Sequence, residues 1–414
     1  MAQRPAEPWH TDRWFVSPWN FNPEVTAEFQ LPQSVKIHDT TLRDGEQQVG
    51  VILNADDKVR IAEALGALGV HRIEAGLPAV SPDDATAVRR IANLGLSSEI
   101  YAFARCVPGD AKVAADCGCT GVVMEIPASG HLIEKAYGWP KEKAIDLSIQ
   151  TTAMAHELGL KVVFFPIDAT RASMVELMDH LARVAKEGHA DSIVLVDSFG
   201  VISPHAVRFF ARHTKERLGL PFETHFHSDF AMGVANTLIA VAEGAEAIHT
   251  TVLGIGERAG NTPMEETVMA LLMMYGIDTG IKTEKFFETA RLVQELTGVA
   301  QPSNRSITGT DLFHIESGIP VAWLRKLSDA DMTELFPFRP ELVGQAPCRV
   351  ALGKGSGLDS IAIWMDKLGF KWTESDQLRA ILNEVKAISL AEKRLLDADE
   401  FTKIVLKTIP NPQG

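Results

Sequence analysis

The chain has few cysteines and no long apolar run. Only four of its 414 residues are cysteine, namely Cys106, Cys117, Cys119 and Cys348. So sparse a set suits a reducing compartment, and we expect a cytoplasmic protein. Cys117 and Cys119 lack the second ligand pair of a structural zinc site, so we interpret them as structural thiols. No apolar segment approaches the roughly 20 residues of a membrane helix. Residues 1–8 contain no basic stretch followed by an apolar core, so no signal peptide is predicted.

Positive charge is also in the minority. The chain has 40 Lys and Arg residues against 54 Asp and Glu residues, which gives a net charge of −14. This balance argues against a nucleic-acid backbone or an anionic membrane as the main partner. An anionic substrate would therefore need local positive charge from a metal ion or from arginines.

The rest of the composition, 46% apolar and 23% charged, is that of an ordinary globular protein. Its length suits one large domain and a smaller one. Short apolar runs rich in β-branched residues alternate with amphipathic helical segments. The strand candidates are 34–39, 71–76, 99–104, 120–126, 161–167, 192–197, 222–227 and 247–253. This alternation predicts an α/β fold, a closed (β/α)8 TIM barrel. An open doubly wound sheet is the alternative, but no Gly-x-Gly-x-x-Gly follows the first strand.

The segments outside this rhythm predict two further regions. Residues 1–33, rich in proline and aromatic side chains, form an N-terminal arm that we expect to pack on another surface, such as a partner subunit. Residues 34–285 form the catalytic barrel, and residues 286–414 form a mainly helical C-terminal extension. The glycine-rich turn at 352–357 lacks the glycine spacing of a P-loop, so we interpret it as a loop leading into a helix.

The end of the first strand carries an unusual density of charge. Asp39, Arg43, Asp44 and Glu46 follow the apolar strand residues within eight positions. In α/β barrels the chemistry lies at the carboxyl ends of the strands. A solvated turn is the competing interpretation, because most loop charges are only solvated.

His225 and His227 make the competing interpretation less favourable. Residues two apart on a strand face the same side, so both imidazoles can point into one barrel mouth. With Asp44 they offer two nitrogens and a carboxylate to a divalent ion, and Asn261 in the loop after strand 8 could add an amide oxygen. Such mixed ligation suits Mn²⁺, Zn²⁺, Mg²⁺, Co²⁺ or Fe²⁺. Arg43 beside that ion could clamp a carboxylate and stabilise a developing enolate or alkoxide.

These residues carry a family resemblance. The motifs HDTTLRDGEQ (38–47), DATR (168–171), H-x-H-x-D (225–229) and GIGERAGN (254–261) together resemble the DRE-TIM metallolyases. Within that family the chain is most similar to the acyl-CoA-condensing 2-isopropylmalate, homocitrate and citramalate synthases. The related 3-hydroxy-3-methylglutaryl-CoA lyases carry a cysteine in the strand-8 loop, which is absent here.

The resemblance implies a set of roles for individual residues. In the family, a divalent metal binds a 2-oxo acid whose keto carbon is attacked by acetyl-CoA. The implied metal ligands are Asp44, His225, His227 and Asn261. The implied catalytic residues are Arg43 and Asp197, and the implied pocket residues are Gln47, Glu74 and Ser198. Arg105, at the end of strand 3, is a further candidate for substrate binding.

Two departures from the family pattern remove the usual proton-transfer groups. The synthases have a glutamate before the Asp of DATR, where this chain has Ile167, and a histidine after ESGI, where it has Pro320. Neither side chain can move a proton. Glu125, near the end of strand 4, and His314 are the candidates for a relocated base. The competing roles are an ion-pair partner of an arginine for Glu125 and a surface histidine for His314.

Three functional hypotheses follow. The chain is an acyltransferase that condenses an acyl-CoA with a non-standard 2-oxo acid, a metal-dependent lyase or aldolase that cleaves a hydroxy acid or acyl-CoA through an enolate, or a metal-bound regulatory relative without turnover. The first is favoured by the overall similarity and the second by the missing base. The expected partners are the substrate and a second copy of the chain in a homodimer, with no nucleic acid and no membrane.

Overall fold

The computed structural model describes residues 7–409 and Pro412. By their internal contacts these residues divide into two compact units, Pro18–Gln301 and a second made of residues 7–17 with the segment that begins at Pro302. The three-segment division drawn from the sequence, with bounds at 33 and 285, remains a proposal. Within the described residues, no helix is both long enough and apolar enough to span a bilayer.

Eight parallel strands in the first unit close into a barrel in chain order, which confirms the predicted TIM-barrel fold. The open doubly wound sheet was the wrong alternative, because β1 pairs with both β2 and β8. The strands are β1 (Lys36–Asp39), β2 (Arg72–Glu74), β3 (Glu99–Arg105), β4 (Gly121–Pro127), β5 (Lys161–Ile167), β6 (Ser192–Asp197), β7 (Phe222–Phe226) and β8 (Ala247–Thr250).

Helices follow the strands and cover the barrel. Their starts are set by local capping: Asn54 accepts hydrogen bonds from the backbone N–H groups of Asp56 and Asp57, and Ser81 caps the next long helix. The helices of this unit are α1 (Pro23–Thr26), α2 (Ala55–Leu68), α3 (Pro82–Ala92), α4 (Pro108–Asp116), α5 (Gly130–Lys135), α6 (Lys141–Glu157), α7 (Met174–Glu187), α8 (Pro204–Leu218), α9 (Gly233–Ala242), α10 (Met264–Met274) and α11 (Phe286–Thr297).

The second unit is mainly helical, as predicted for this region. It contains a short parallel pair, β9 (His314–Ile315) and β10 (Arg349–Val350), and its own apolar core. Its helices are α12 (Gly318–Leu324), α13 (Leu358–Lys367), α14 (Ser375–Glu392) and α15 (Ala398–Thr408). The glycine-rich turn at 352–357 leads directly into α13, as its interpretation required.

Part of the N-terminal arm belongs to this second unit. Phe15 donates its backbone N–H to Pro337 O at 3.0 Å, and Arg339 N–H donates to Arg13 O at 2.9 Å. Trp14 and Phe338 form an antiparallel bridge between these two bonds. The surface that this part of the arm packs on is therefore in its own chain.

Candidate active site and metal centre

The turn after β1 folds back on one carbonyl. Thr40 O accepts hydrogen bonds from the backbone N–H groups of Arg43, Asp44 and Gly45 at 3.1, 2.9 and 3.1 Å. This arrangement turns Arg43 and Asp44 into the barrel mouth, where both side chains are buried.

The side chains of Asp44, His225 and His227 converge there. Asp44 Oδ2 lies 3.3 Å from His225 Nε2 and 3.8 Å from His227 Nε2. One potential ligand atom from each residue lies within 4.8 Å of the others. The two imidazoles reach one point because alternate residues of a strand share a side.

Asn261 completes this group from the loop after β8. Its Nδ2 donates to Asp44 Oδ1 at 2.8 Å and to Ile255 O at 3.2 Å. The loop approaches closely because residue 256 is glycine: a Cβ there would lie 2.9 Å from Asp44 Oδ1, and its φ of +151° disfavours other residues.

The polar atoms of this cluster fit a divalent ion. Both ring nitrogens of His225, Nδ1 of His227 and Oδ1 of Asn261 are buried without a hydrogen-bond partner. Burial lowers the pKa of His225 to about 3, although Asp44 opposes that shift. Burial alone would raise the pKa of Asp44, but Arg43 and His225 hold it well below its ordinary value. Neutral imidazoles and an ionised carboxylate are the forms that bind metals.

Arg43 lies beside this cluster and is held from three directions. Its Nε donates to Glu74 Oε1, and its Nη1 donates to Asp44 Oδ2 at 2.8 Å and Gln47 Oε1 at 3.3 Å. Its guanidinium stacks on Phe103, with Cζ 3.9 Å from the ring centroid. Nη2 is buried without a partner and remains available to a ligand.

Two of the predicted pocket residues therefore contact Arg43. Gln47 is exposed and holds Arg43 from the solvent side. Glu74 is fully buried, and its other oxygen lies 3.1 Å from His38 Nε2. Burial alone would raise the pKa of Glu74, but Arg43 and His38 hold it at about 2. Both Glu74 oxygens are occupied, so its contacts are those of a residue that positions Arg43.

Glu125 faces the barrel interior near the end of β4. It is in register with Phe165 of β5, which packs against His225 with ring centroids 4.9 Å apart. Its side chain makes no hydrogen bond or ion pair with any other described residue, and burial raises the pKa of the carboxyl group. Arg105, its register partner on β3, does not pair with it.

The other predicted residues lie outside the cluster. Arg105 is half exposed and makes a bidentate pair with Asp110, at 2.8 and 3.1 Å. Val196 is in register with the inward-facing His225, so the next residue, Asp197, points away from the barrel interior. The Asp197 carboxylate accepts from Thr170 Oγ1 at 2.7 Å and from Ile202 N–H at 3.1 Å. The structure therefore does not bring Arg105 or Asp197 to the metal cluster.

Ser198 is occupied in a similar way. Its Oγ accepts a hydrogen bond from Asp168 N–H at 2.8 Å, and its carbonyl accepts one from Arg258 Nη2 at 2.6 Å. It connects the loops that follow β5, β6 and β8.

A buried polar network deeper in the barrel was not predicted. His38 and His249 stack with ring centroids 4.2 Å apart, and His249 Nε2 lies 3.0 Å from Glu223 Oε2. Glu223 also accepts hydrogen bonds from Arg72 and Ser192, both at 2.6 Å. His38, Glu223 and His249 also offer one potential ligand atom each within 4.8 Å of the others. Both Glu223 oxygens and the Nε2 atoms of the two rings already have hydrogen-bond partners, so we assign this network to hydrogen bonding. Polar residues at alternate positions of β1, β7 and β8 are the sequence signal that marks it.

Ile167 and Pro320 are the two residues that replace the proton-transfer groups of the family. Ile167 is the last residue of β5, and Pro320 lies in α12. His314 is exposed, and its Nδ1 lies 3.4 Å from Asp311 Oδ1.

His131, in the first turn of α5, was also not among the predicted site residues. Its Nε2 lies 3.1 Å from Asp168 Oδ2, which also accepts a hydrogen bond from Ser129. It follows Glu125 by only six residues, and this proximity to a strand end was its sequence signal.

Comparisons with known proteins identify the family of this chain. A family model described as HMGL-like matches residues 34–293. The homocitrate synthase AksA of Methanopyrus kandleri is 39% identical over 387 residues, which cover 93% of this chain and 96% of that protein. The 2-isopropylmalate synthase of Methanocaldococcus jannaschii is 38% identical over 379 residues, which cover 91% of this chain and 72% of that protein.

A solved structure supports the fold. The HMG-CoA lyase of Bacillus subtilis superposes with a TM-score of 0.59 at 20% identity, over 66% of this chain and 97% of that one. At this identity the likeness concerns the architecture of the barrel.

Proposed function

Because this chain belongs to the HMGL-like family, we propose that it is a divalent-metal-dependent acyltransferase that condenses an acyl-CoA with a 2-oxo acid. The observation that carries the proposal is the convergence of Asp44, His225, His227 and Asn261 beside Arg43. Relatives named as synthases match more than 85% of the chain at 38–39% identity. The matched lyase structure shares only 20% identity, so the lyase alternative has weaker support.

Asp44, His225, His227 and Asn261 would hold the metal ion, whose identity stays open among Mn²⁺, Zn²⁺, Mg²⁺, Co²⁺ and Fe²⁺. A bound divalent ion supplies a Lewis acid that polarises the keto group of a 2-oxo acid. Arg43, through its free Nη2, stabilises the oxyanion that develops on that keto oxygen. Glu74 and Gln47 hold the guanidinium in place, so it needs little reorganisation during the reaction.

The proton of the acyl group must be taken by a residue that the family does not normally use. We assign this step to Glu125, because its carboxylate is inward-facing and has no competing partner among the described residues. It removes a proton from the α-carbon of the acyl-CoA, and that carbon forms a bond to the keto carbon as the C=O π bond breaks. The resulting alkoxide takes up a proton and becomes the hydroxyl group of the product. Water then cleaves the thioester and releases CoA. A raised pKa makes the carboxylate a stronger base than an exposed glutamate.

The proposal is tested by release of free thiol from acetyl-CoA with a panel of 2-oxo acids, after chelation and after addition of each of Mn²⁺, Zn²⁺, Mg²⁺, Co²⁺ and Fe²⁺. We expect metal-dependent thiol release with at least one acceptor. Glu125→Gln should lower turnover by about 100-fold or more while metal binding is retained. Absence of thiol release with every acceptor and every metal would refute the condensation, and undiminished turnover of the Gln variant would remove Glu125 from the mechanism.

We also propose that the enzyme acts in the cytoplasm as a homodimer. The support for the first is that its four cysteines are all free thiols. Light scattering coupled to size-exclusion chromatography tests the second, and a monomer mass would contradict it.

A further inference from the structure

The wall of the barrel next to Arg43 is aromatic. Phe103 and Phe165 project inward from neighbouring regions of the barrel and meet edge to face, with ring centroids 5.4 Å apart. Phe103 lies under the guanidinium of Arg43, and Phe165 packs on His225. A substrate held between Arg43 and the metal ligands therefore has aromatic rings beside it.

Glu125 adds a carboxylate to the same wall. It is in register with Phe165, two residues beyond the register partner of Phe103 on β4. No described residue neutralises it by a direct ion pair or hydrogen bond. A second negative charge brought to this wall by a substrate would have Glu125 as a neighbour.

Several cationic side chains near the mouth are already committed to carboxylates of the chain. Four of them have partners at hydrogen-bond distance. These pairs are Arg105 with Asp110, Arg171 with Asp168, Arg258 with Asp229, and Lys58 with Asp84. In this set only Arg43 keeps a buried nitrogen without a partner, and that nitrogen lies beside the metal ligands. The unpartnered cationic nitrogen of this group therefore faces the reacting end of the acceptor, and none of these four pairs is free to bind a second carboxylate at its far end.

Resting on the proposed condensation, we propose that the acceptor is a 2-oxo monocarboxylic acid with an uncharged, apolar side chain. Phe103 and Phe165 contact that side chain, and Glu125 disfavours acceptors that carry a second carboxylate. The inference separates this chain from the homocitrate synthase AksA of Methanopyrus kandleri, although the two are 39% identical over 387 residues.

Binding separates the two acceptor classes without requiring turnover. The protein saturated with Mn²⁺ is titrated calorimetrically, in the absence of acyl-CoA, with 2-oxohexanoate and with 2-oxoglutarate, which have similar length and differ in the terminal group. We expect 2-oxohexanoate to bind about tenfold more tightly or better, because like charges in a partly buried site repel. In Glu125→Gln the preference should fall by about tenfold, because the repelling charge is gone. Asp116→Asn, the same charge change at an exposed position at the far end of α4, should keep the wild-type preference.

The outcomes distinguish this inference from the proposed function. Tighter binding of 2-oxoglutarate, or an unchanged preference in Glu125→Gln, overturns the acceptor assignment even if thiol release is found. Preferential binding of 2-oxohexanoate without thiol release from any acyl-CoA supports the acceptor assignment and refutes the condensation.

Discussion

Arg43 is the residue through which the rest of the site acts. It touches a proposed metal ligand, an aromatic ring and a buried carboxylate, and each contact fixes a different part of its side chain. A planar guanidinium held in this way presents its free nitrogen in one direction, which a lysine could not do.

Glu74→Gln should lower kcat by about 100-fold with little change in KM, because the ionic contact that orients Arg43 is lost while its other contacts remain. The Mn²⁺-induced rise in melting temperature should persist, since the four ligand side chains are unchanged. Steady-state kinetics and thermal melts measure the two effects. A normal kcat, or loss of the metal response, would show that Glu74 does not act by positioning Arg43.

Asp39 predicts a pH dependence of stability. Burial raises the pKa of its carboxyl group to about 7, against which the hydrogen bonds from Thr41 act only partly. The folded state therefore favours the protonated acid. The contribution of the Asp39 carboxyl group to the stability of the fold is complete below about pH 4, the pKa of this group in the unfolded chain. This contribution is lost as the pH rises through about 7, the pKa in the folded state. In Asp39→Asn, the fall in melting temperature between pH 5 and pH 8 should be smaller by about 2–4 °C.

Thermal melts across this pH range measure the effect. Asp83→Asn, at an exposed position at the start of α3, is the control and should follow the wild-type curve. An Asp39→Asn curve parallel to wild type would contradict a raised pKa at this position.

At the residue scale, the sequence predicted contacts that depend on one strand and its following loop. His225 and His227 are two apart on β7, so their shared direction follows from strand geometry alone. The stacking of His38 on His249 depends instead on which strand closes the barrel and in what register. Asp197 was assigned by motif, but alternation along β6 turns it away from the interior.

At the scale of elements, the strands and helices were predictable where apolar periodicity and capping residues agree. The bounds of β5 and β6 are those that the sequence predicts. Strand β8 ends three residues early, at Thr250, because Leu253 adopts φ of +61° and its N–H is bound by the carboxylate of Glu265. The apolar pair Val252–Leu253 resembles strand sequence, so the sequence predicts that the strand continues there. The hydrogen bond from Leu253 to the carboxylate of Glu265, twelve residues later, holds this segment in a turn instead.

The glycine-rich turn before α13 requires glycine because a neighbouring side chain lies against its backbone. Glu316 Oε1 accepts the N–H of Gly355 at 2.7 Å and fills the turn. A Cβ on Gly353 would lie 2.5 Å from that same oxygen and 2.9 Å from Leu395 Cδ2. Because the carboxylate of Glu316 occupies the turn, we interpret the turn as a structural element that packs within the second unit.

Gly353→Ala should therefore destabilise the second unit by about 1–3 kcal/mol, because the new methyl group displaces Glu316 from its hydrogen bond. Gly109→Ala, inside α4 with no atom within 4 Å of the added methyl group, is the matched control. It should be neutral or stabilising by up to about 1 kcal/mol. Urea unfolding measures both changes, and equal effects of the two variants would contradict the steric explanation.

At the scale of the whole molecule, the second unit is discontinuous in sequence. Residues 7–17 and the segment from Pro302 belong to it, while all four proposed metal ligands lie in Pro18–Gln301. The composition of the arm indicated that it packs on a surface. Which surface it uses depends on backbone pairing with residues 337–339, and no side-chain pattern encodes that pairing.

The backbone pairing of the arm with residues 337–339 predicts which segment becomes less protected when the pairing is broken. Phe15→Pro removes the N–H that donates to Pro337 O at 3.0 Å, whereas Phe15→Ala keeps it and removes only the ring. We expect faster hydrogen exchange at residues 337–343 in the proline variant than in the alanine variant, with the barrel strands unchanged. Hydrogen exchange read by mass spectrometry resolves these segments. Equal exchange in both variants would assign the attachment of the arm to the aromatic ring, and faster exchange in β1–β8 would show that the arm stabilises the barrel instead.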